Sequence, residues 1–244
     1  MTEQASSRKI GSFHPTQRTL MGPGPSEINP RVLAAMSLPA IGYLDPKFVE
    51  MMEELKILLR YAFQTENPVT FPISGPGSVG MESCFVNMVA PGDKVIVCRN
   101  GVFGGRMIEN VERCGGVPIV VEDAWGDPVD PNKVESALKA NPDARIVAFV
   151  HAETSTGCLS DAKALTDLAH RHDCVVIAVT SLGGSAVKVD EWGIDHLLGQ
   201  PEVPVVHAGA LASVVFRPRR RLREEPQGKG PQLVHGLILG MSGL

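Results

Sequence analysis

The chain reads Phe71-Pro72-Ile73-Ser74-Gly75-Pro76-Gly77-Ser78-Val79-Gly80-Met81-Glu82 and continues into the helical run Ser83 to Val89. This pattern predicts an apolar strand, a turn of small residues and then a helix. Such a turn leaves backbone N–H groups free at the start of the helix, where the helix dipole favours an anion. The hydroxyl of Ser78 adds a further donor. The stretch therefore predicts a phosphate-binding turn, although glycine-rich turns of this kind are common in α/β proteins.

Strand and helix patterns alternate along the rest of the chain. Apolar residues at helical spacing predict a helix over Pro46 to Phe63. Further strands are predicted at 69–73, 94–98, 117–121, 145–151 and 174–179, and further helices at 78–89, 104–114, 131–140 and 161–171. Asp130 and Ser160 are the expected N-caps of the last two helices. Near-continuous valine and isoleucine runs between helices are typical of parallel strands buried on both faces, so the pattern predicts an α/β fold.

The composition is that of an ordinary globular protein. The chain has 244 residues, which is long enough for one large domain or two small ones. Of these residues, 43% are hydrophobic and 20% are charged. The net charge of −4 argues neither for nucleic acid nor for an anionic membrane surface as a partner, and we expect neither. No apolar stretch approaches the length of a membrane span, and Met1 to Ile10 lacks a signal-peptide core. We therefore expect a cytoplasmic protein.

The cysteines support the same compartment. They are scattered without a CxxC pair, so neither a zinc site nor a redox dithiol is indicated, and we expect no bound metal. An odd, dispersed set fits reduced thiols in the cytosol. The five cysteines are Cys84, Cys98, Cys114, Cys158 and Cys174.

The character of the sequence changes after Asp195. Residues 196–244 show no clear period and contain the basic cluster Arg217-Pro218-Arg219-Arg220-Arg221-Leu222-Arg223. This composition predicts a solvated, disordered tail. An arm that binds RNA or a membrane is the alternative, but the cluster lacks interleaved aromatic residues. The expected division is a flexible segment at 1–18, a large domain at 19–195 and the tail.

Six segments, taken in order, resemble the class V pyridoxal-phosphate aminotransferases, in particular the alanine–glyoxylate and serine–glyoxylate group. Their order and spacing are similar to the family's from about Phe13 to Asp195, and six ordered matches are far more specific than one. The segments are Leu20-Met21-Gly22-Pro23-Gly24-Pro25-Ser26, Asp45-Pro46-Lys47-Phe48, Ile73-Ser74-Gly75-Pro76-Gly77-Ser78, Asn100-Gly101-Val102-Phe103-Gly104, His151-Ala152-Glu153-Thr154-Ser155-Thr156-Gly157 and Ala178-Val179-Thr180-Ser181-Leu182-Gly183-Gly184.

The resemblance implies a fold, a cofactor and substrates. The fold would be the large domain of a fold-type I transferase, a mainly parallel sheet with helices on both faces, here incomplete. The cofactor would be pyridoxal 5′-phosphate. The substrates would be a small amino acid, alanine or serine, and glyoxylate or a similar 2-oxo acid. The family forms homodimers, which we regard as doubtful for a truncated chain.

The resemblance also implies roles for individual residues. Gly77, Ser78 and the amide of Val79 would seat the cofactor phosphate, in agreement with the turn described above. Phe103 matches the aromatic position that stacks on the pyridine ring; without the family it is equally a core phenylalanine. Thr154 matches a hydroxyl residue near the ring hydroxyl, although by itself the segment is a plain Ser/Thr turn.

His151 ends a predicted strand. We interpret it as a buried histidine satisfied by a hydrogen bond rather than as a ligand or a base.

The aspartate that the family places against the pyridine nitrogen is missing from its expected position. The family pattern carries a Val-Asp pair between Ile177 and Ala178, and this chain lacks both residues. Asp173 lies before the strand and does not replace it. The pyridinium would then lack its counter-ion.

The lysine that holds the cofactor as a Schiff base and moves the proton is also missing. The family places it shortly after Asp195, within a Ser-Gly-Ser-Gln-Lys segment, but here no lysine follows until Lys229. We therefore name no catalytic residue and expect impaired transamination. The alternative is a non-catalytic remnant or a dead subunit of such an enzyme.

A change of reading frame would explain the tail. When Gly199 to Phe216 is back-translated and moved by one base, the permitted codons allow Gly-Ser-Gln-Lys-Cys, which is the family's lysine segment. We therefore expect a small deletion near codon 198. On this hypothesis the chain lacks the remaining sheet strands, the dimer-forming helices and the small domain, and it exposes apolar surface meant for them.

Overall fold

The computed structural model of the chain describes residues 11–22, 24, 27–179, 181–199 and 211–216. The helices are α1 Pro30–Met36, α2 Pro46–Phe63, α3 Gly77–Met88, α4 Val102–Arg113, α5 Pro131–Ala140, α6 Ala162–Arg171 and α7 Val189–Trp192. The strands are β1 Thr70–Ser74, β2 Lys94–Arg99, β3 Val117–Glu122, β4 Ala144–Val150, β5 Ala152–Glu153, β6 Cys158–Leu159, β7 Val175–Val179, β8 His196–Gly199 and β9 Leu211–Phe216. None of the described helices is long and apolar enough to cross a membrane.

Short acidic or amide side chains begin several of these helices. Asp45 caps α2 and Asp130 caps α5, each with proline at the first helical position, where a missing N–H costs nothing. The cap of α6 is Asp161, whose Oδ1 accepts from the Ala164 amide at 2.9 Å, so the prediction of Ser160 was wrong by one residue. The Ser160 hydroxyl instead accepts from the Val129 amide at 3.2 Å and ties two loops together.

Seven of the nine described strands build one sheet in the order β1-β9-β8-β7-β4-β2-β3, and β5 and β6 form a separate antiparallel pair. Neighbours from β8 to β3 are parallel, whereas β9 is antiparallel to both β8 and β1. Strand β9 is therefore the one reversed strand of this sheet. The α/β class with a mainly parallel sheet is confirmed.

Two strands lie inside the segment that the sequence predicts to be disordered. Strand β8 pairs with β7, and β9 fills the gap between β8 and β1. The predicted disorder was therefore wrong for residues 196–199 and 211–216, and so was the expected loss of the last sheet strands. The composition of residues 196–244 favoured disorder and hid these two strands, which pair with β7 and β1. Residues 200–210 and 217–244, with the arginine-rich cluster, lie outside the described residues.

The described residues before α1 form no helix or strand. Residues 11–18 are exposed and form neither helix nor strand, and 1–10 lie outside the described residues. The flexible N-terminal segment therefore stays a prediction.

The core lies on both faces of the sheet because side chains alternate along each strand. On β4, Ile146, Ala148 and Val150 point to the face covered by α3 and α4. Val147 and Phe149 point to the face covered by α5 and α6. The predicted layering, with helices on both faces, is confirmed.

Apolar side chains remain exposed on the first two helices. Helix α1 buries none of its residues, and α2 buries Phe63 alone. On α2, Ile57 is 58% exposed, Leu58 63% and Tyr61 84%. Apolar surface is therefore exposed on these two helices.

Candidate active site

The predicted site residues all follow parallel strands at the carboxyl edge of the sheet. Ser78 follows β1, Phe103 follows β2 and Thr154 follows β4. In open α/β sheets this edge is where ligands bind. Hydrogen bonds link the three turns, since Arg106 of α4 contacts Ser78 and Glu153 contacts the start of α4. The structure therefore brings the predicted residues together.

The turn between β1 and α3 presents backbone donors. Gly75 has φ of 155°, and a Cβ there would lie 3.0 Å from the Cβ of Val79, so the turn requires glycine. Pro76 is the N-cap and provides no side-chain bond. In the described part of the chain, the amides of Gly77 and Ser78 have no acceptor. An anion placed here would find both amides at the positive end of a twelve-residue helix.

Val79 differs from its two neighbours. Its amide donates to the Pro76 carbonyl at 2.9 Å, within the first turn of α3. The geometry therefore favours Gly77 and Ser78 over Val79 as amide donors to an anion.

Phe103 lies in the first turn of α4 and is half-buried. The guanidinium of Arg106 lies 5.1 Å from the centroid of its ring. Nη1 of Arg106 also donates to Ser78 Oγ at 3.0 Å. One cation thus joins the predicted stacking ring to the predicted phosphate turn. The sequence interpretation missed Arg106, although its spacing of three residues from Phe103 places both on one helix face.

Glu153 organises the start of α4, and the sequence interpretation missed it as well. Its carboxylate is fully buried, and Oε2 accepts from the amides of Phe103 and Gly104 at 3.1 and 3.3 Å. Oε1 accepts from the amide and hydroxyl of Ser155 at 3.2 and 2.6 Å. An acidic residue directly after a buried strand was the available signal, since such a charge requires partners.

Two glycines make this packing possible. A Cβ on Gly101 would lie 2.4 Å from the carboxyl carbon of Glu153. A Cβ on Gly104 would lie 2.8 Å from the carbonyl oxygen of Cys98, so the helix could not approach β2. The Gly-x-x-Gly spacing is therefore a steric requirement of the site.

Thr154 lies half-buried in the turn that directly follows β5. No hydrogen-bond partner for its hydroxyl occurs within the described ranges. This is compatible with the predicted contact to a ligand.

His151 is buried, hydrogen-bonded and packed against an aromatic ring. Its Nδ1 lies 2.6 Å from Ser181 Oγ, and its ring packs edge-on against Trp192 at 5.5 Å between centroids. Burial lowers the pKa of His151, partly opposed by Asp161, so the neutral ring is favoured. The interpretation of a satisfied strand-end histidine is confirmed.

Strand β7, where the family carries its aspartate, is apolar throughout. All five residues from Val175 to Val179 are buried. Asp173 precedes the strand in the turn after α6, with φ of 58°, and lies at the opposite end from the site. Thus Asp173 is not positioned to replace the missing carboxylate.

The described lysines are all engaged elsewhere. Each of the seven places its Nζ within 3.1 Å of a carboxylate oxygen, whereas Lys9 and Lys229 lie outside the described residues. The pairs are Lys47–Glu50, Lys56–Glu53, Lys94–Asp143, Lys133–Asp123, Lys139–Glu135, Lys163–Asp167 and Lys188–Glu191.

Comparison with known proteins agrees with this geometry. The family model for class-V aminotransferases matches residues 24–198. The chain is 38% identical over 205 residues to the (S)-ureidoglycine–glyoxylate transaminase of Bacillus subtilis, covering 83% of this chain and 49% of that protein. It is 38% identical over 183 residues to the rat alanine–glyoxylate aminotransferase, covering 74% and 44%. The chain spans about half the length of these curated relatives.

Solved structures show the same fold. The crystal structure of an alanine–glyoxylate aminotransferase from Nostoc sp. superposes with a TM-score of 0.86 at 31% identity, covering 98% of this chain and 63% of that one. The predicted fold class, the large domain of a fold-type I transferase, is confirmed. Pyridoxal phosphate is the cofactor that this family implies. The chain belongs to the class-V aminotransferases.

Proposed function

We propose that the chain binds pyridoxal 5′-phosphate at the turn that starts α3, and that its ancestral activity transfers an amino group to glyoxylate or a similar 2-oxo acid. Two curated relatives named for glyoxylate transamination support the acceptor. The amino donor would be a small amino acid such as alanine or serine.

The residues of the turn suit the phosphorylated end of the cofactor. The free amides of Gly77 and Ser78 and the Ser78 hydroxyl would hold the phosphate. Phe103 would lie against the ring, and Thr154 would contact its hydroxyl. When bound, the cofactor supplies an electron sink for the substrate's α-carbon. These residues bind and orient the cofactor and exclude water from one face of the ring.

Two features of the described residues support impaired transamination. Strand β7 presents a buried apolar surface where a carboxylate would stabilise a protonated pyridine nitrogen. Each of the seven described lysines is paired with a carboxylate. We propose that this chain is impaired in transamination, and the unbroken apolar β7 is the observation that carries the proposal.

Cofactor binding and turnover measured together test this proposal. Equilibrium dialysis of the purified chain with pyridoxal phosphate should give one reversible site per chain. Alanine and glyoxylate should yield no pyruvate or glycine above the protein-free rate. Phe103→Ala should weaken binding, whereas Val102→Ala, at a neighbouring exposed side chain, should leave it unchanged. Sustained turnover would overturn the proposed impairment, and failure to bind the cofactor would overturn the proposed site.

The second candidate is a non-catalytic remnant or a dead subunit, which the apolar β7 equally supports. Resequencing the gene tests its origin, because DNA that cannot encode Gln-Lys-Cys in the neighbouring frame refutes the frame-shift hypothesis.

A cytoplasmic location is also proposed, supported by five cysteines that form no disulfide.

A further inference from the structure

Arg106 approaches the phosphate turn without an acidic partner. It lies three residues after Phe103, so the two side chains share one face of α4. Its Nη1 donates to Ser78 Oγ at 3.0 Å, while the guanidinium covers the Phe103 ring. No carboxylate of the described residues lies within ion-pair distance of it. Arg113, on the same helix, is instead paired with Glu109.

The hydrogen bond from Arg106 orients the serine hydroxyl. One lone pair of Ser78 Oγ accepts the guanidinium proton, so the hydroxyl hydrogen is free to donate to another group. No acceptor for it occurs in the part of the chain that the structure describes. The hydroxyl therefore serves as a donor toward a ligand at the turn, beside the amides of Gly77 and Ser78.

The charge of the site also requires a cation. A phosphate monoester carries roughly −1.5 to −2 charges at neutral pH. Two amides and a hydroxyl provide partial charges only. The guanidinium has five N–H donors, one of which is used by Ser78, and it binds phosphate strongly through paired donors.

We infer that Arg106 is a phosphate-binding residue of the cofactor site. It supplies the full positive charge for the phosphate monoester and fixes the Ser78 hydroxyl as a donor. This inference rests on the proposed function, because it concerns the same cofactor.

Binding of two ligands distinguishes a contact of Arg106 with the phosphate from a contact with the cofactor ring. Pyridoxal phosphate and pyridoxal differ only in the phosphate, and affinities for both are measured by titration of cofactor absorbance. Arg106→Ala should weaken pyridoxal phosphate binding roughly 10- to 100-fold and change pyridoxal binding less than about twofold. Arg106→Lys should retain part of the affinity, because the charge remains without the planar fork. Arg113→Ala is the matched control and should bind as the unaltered chain does.

Competition by inorganic phosphate provides a second measurement, in which the probe has no pyridine ring. Phosphate should displace pyridoxal phosphate from the unaltered chain and compete at least tenfold less well when Arg106 is alanine. Circular dichroism should show that each variant is folded.

The outcomes distinguish this inference from the proposed function. If the unaltered chain binds no pyridoxal phosphate, both are overturned. If it binds and Arg106→Ala binds equally well, only the role of Arg106 is overturned. An equal loss for pyridoxal and pyridoxal phosphate would also overturn it, because the arginine would then act on the ring alone.

Discussion

Glu153 Oε2 accepts a hydrogen bond from the amide of Phe103 at 3.1 Å, so a buried carboxylate fixes the backbone that carries the predicted stacking ring. The same carboxylate accepts from Gly104 and Ser155. The ends of β2 and β4 are thereby joined through one side chain.

Replacing Glu153 by alanine should destabilise the fold. The amides of Phe103 and Gly104 would lose their acceptor inside the protein, at a cost of about 2–3 kcal/mol in the free energy of unfolding. Urea denaturation measures this loss. Glu109→Ala, at an exposed ion-paired position on α4, should cost less than about 1 kcal/mol. Equal losses for the two variants would contradict the role given to Glu153.

Alanine at two glycines of the same segment should have opposite effects. At Gly101 the added methyl group would overlap the Glu153 carboxyl group at 2.4 Å, so we expect the helix start to be displaced and stability to fall. At Gly105 nothing lies within 4 Å, and alanine should be neutral or stabilise α4 by up to about 1 kcal/mol. Thermal unfolding of both variants checks this. A Gly101→Ala protein as stable as the parent would show that the close approach is absent.

His151 should make the stability of the fold depend on pH. Burial lowers its pKa in the folded state, so the unfolded chain binds a proton more readily. Protonation of His151 does not affect stability well above the ordinary histidine pKa of about 6.5. As the pH falls below that value, the folded state loses stability relative to the unfolded chain, which takes up the proton more readily. His151→Asn should lose less stability than the parent between about pH 7.5 and about pH 5.5. An identical pH dependence of the two proteins, measured by urea denaturation, would assign the effect to other groups.

Thiol reagents should distinguish Cys114 from the other four cysteines. Cys114 is half-buried, whereas the others are buried. Burial raises the pKa of Cys84 to about 12 and that of Cys98 further, which suppresses the reactive thiolate. The native protein should show one early-reacting thiol, and Cys114→Ser should remove it. Persistence of the early phase in that variant would place the exposed thiol elsewhere.

The sequence predicted those parts of the fold that have a local signal. Helix α2 and helix α5 were predicted to the residue, because periodic apolar residues and a proline after an Asx cap define them. Strands β8 and β9 were missed, because the Pro/Arg/Gly-rich composition of residues 196–244 favoured disorder, whereas the structure pairs them with β7 and β1. The cap of α6 was off by one because Ser160 and Asp161 are both good capping residues.

The site residues, too, were predicted only where the sequence carries a local signal or a family resemblance. Gly77 and Ser78 were predicted from the local turn, and Phe103 and Thr154 from the family resemblance. Arg106 and Glu153 were missed, because their partners lie 28 and 50 residues away in the sequence. Contacts over such separations follow from the stacking of turns at the sheet edge, which the sequence alone does not display.

Borohydride reduction tests the central claim most directly, because it makes any lysine–cofactor bond permanent. The chain is loaded with pyridoxal phosphate, reduced, unfolded and dialysed, and its intact mass is measured. We expect the mass of the unmodified chain, since each described lysine is paired with a carboxylate and the family's lysine segment is missing. A stoichiometric gain of one reduced cofactor, mapped by peptide digestion to a single lysine, would contradict the account.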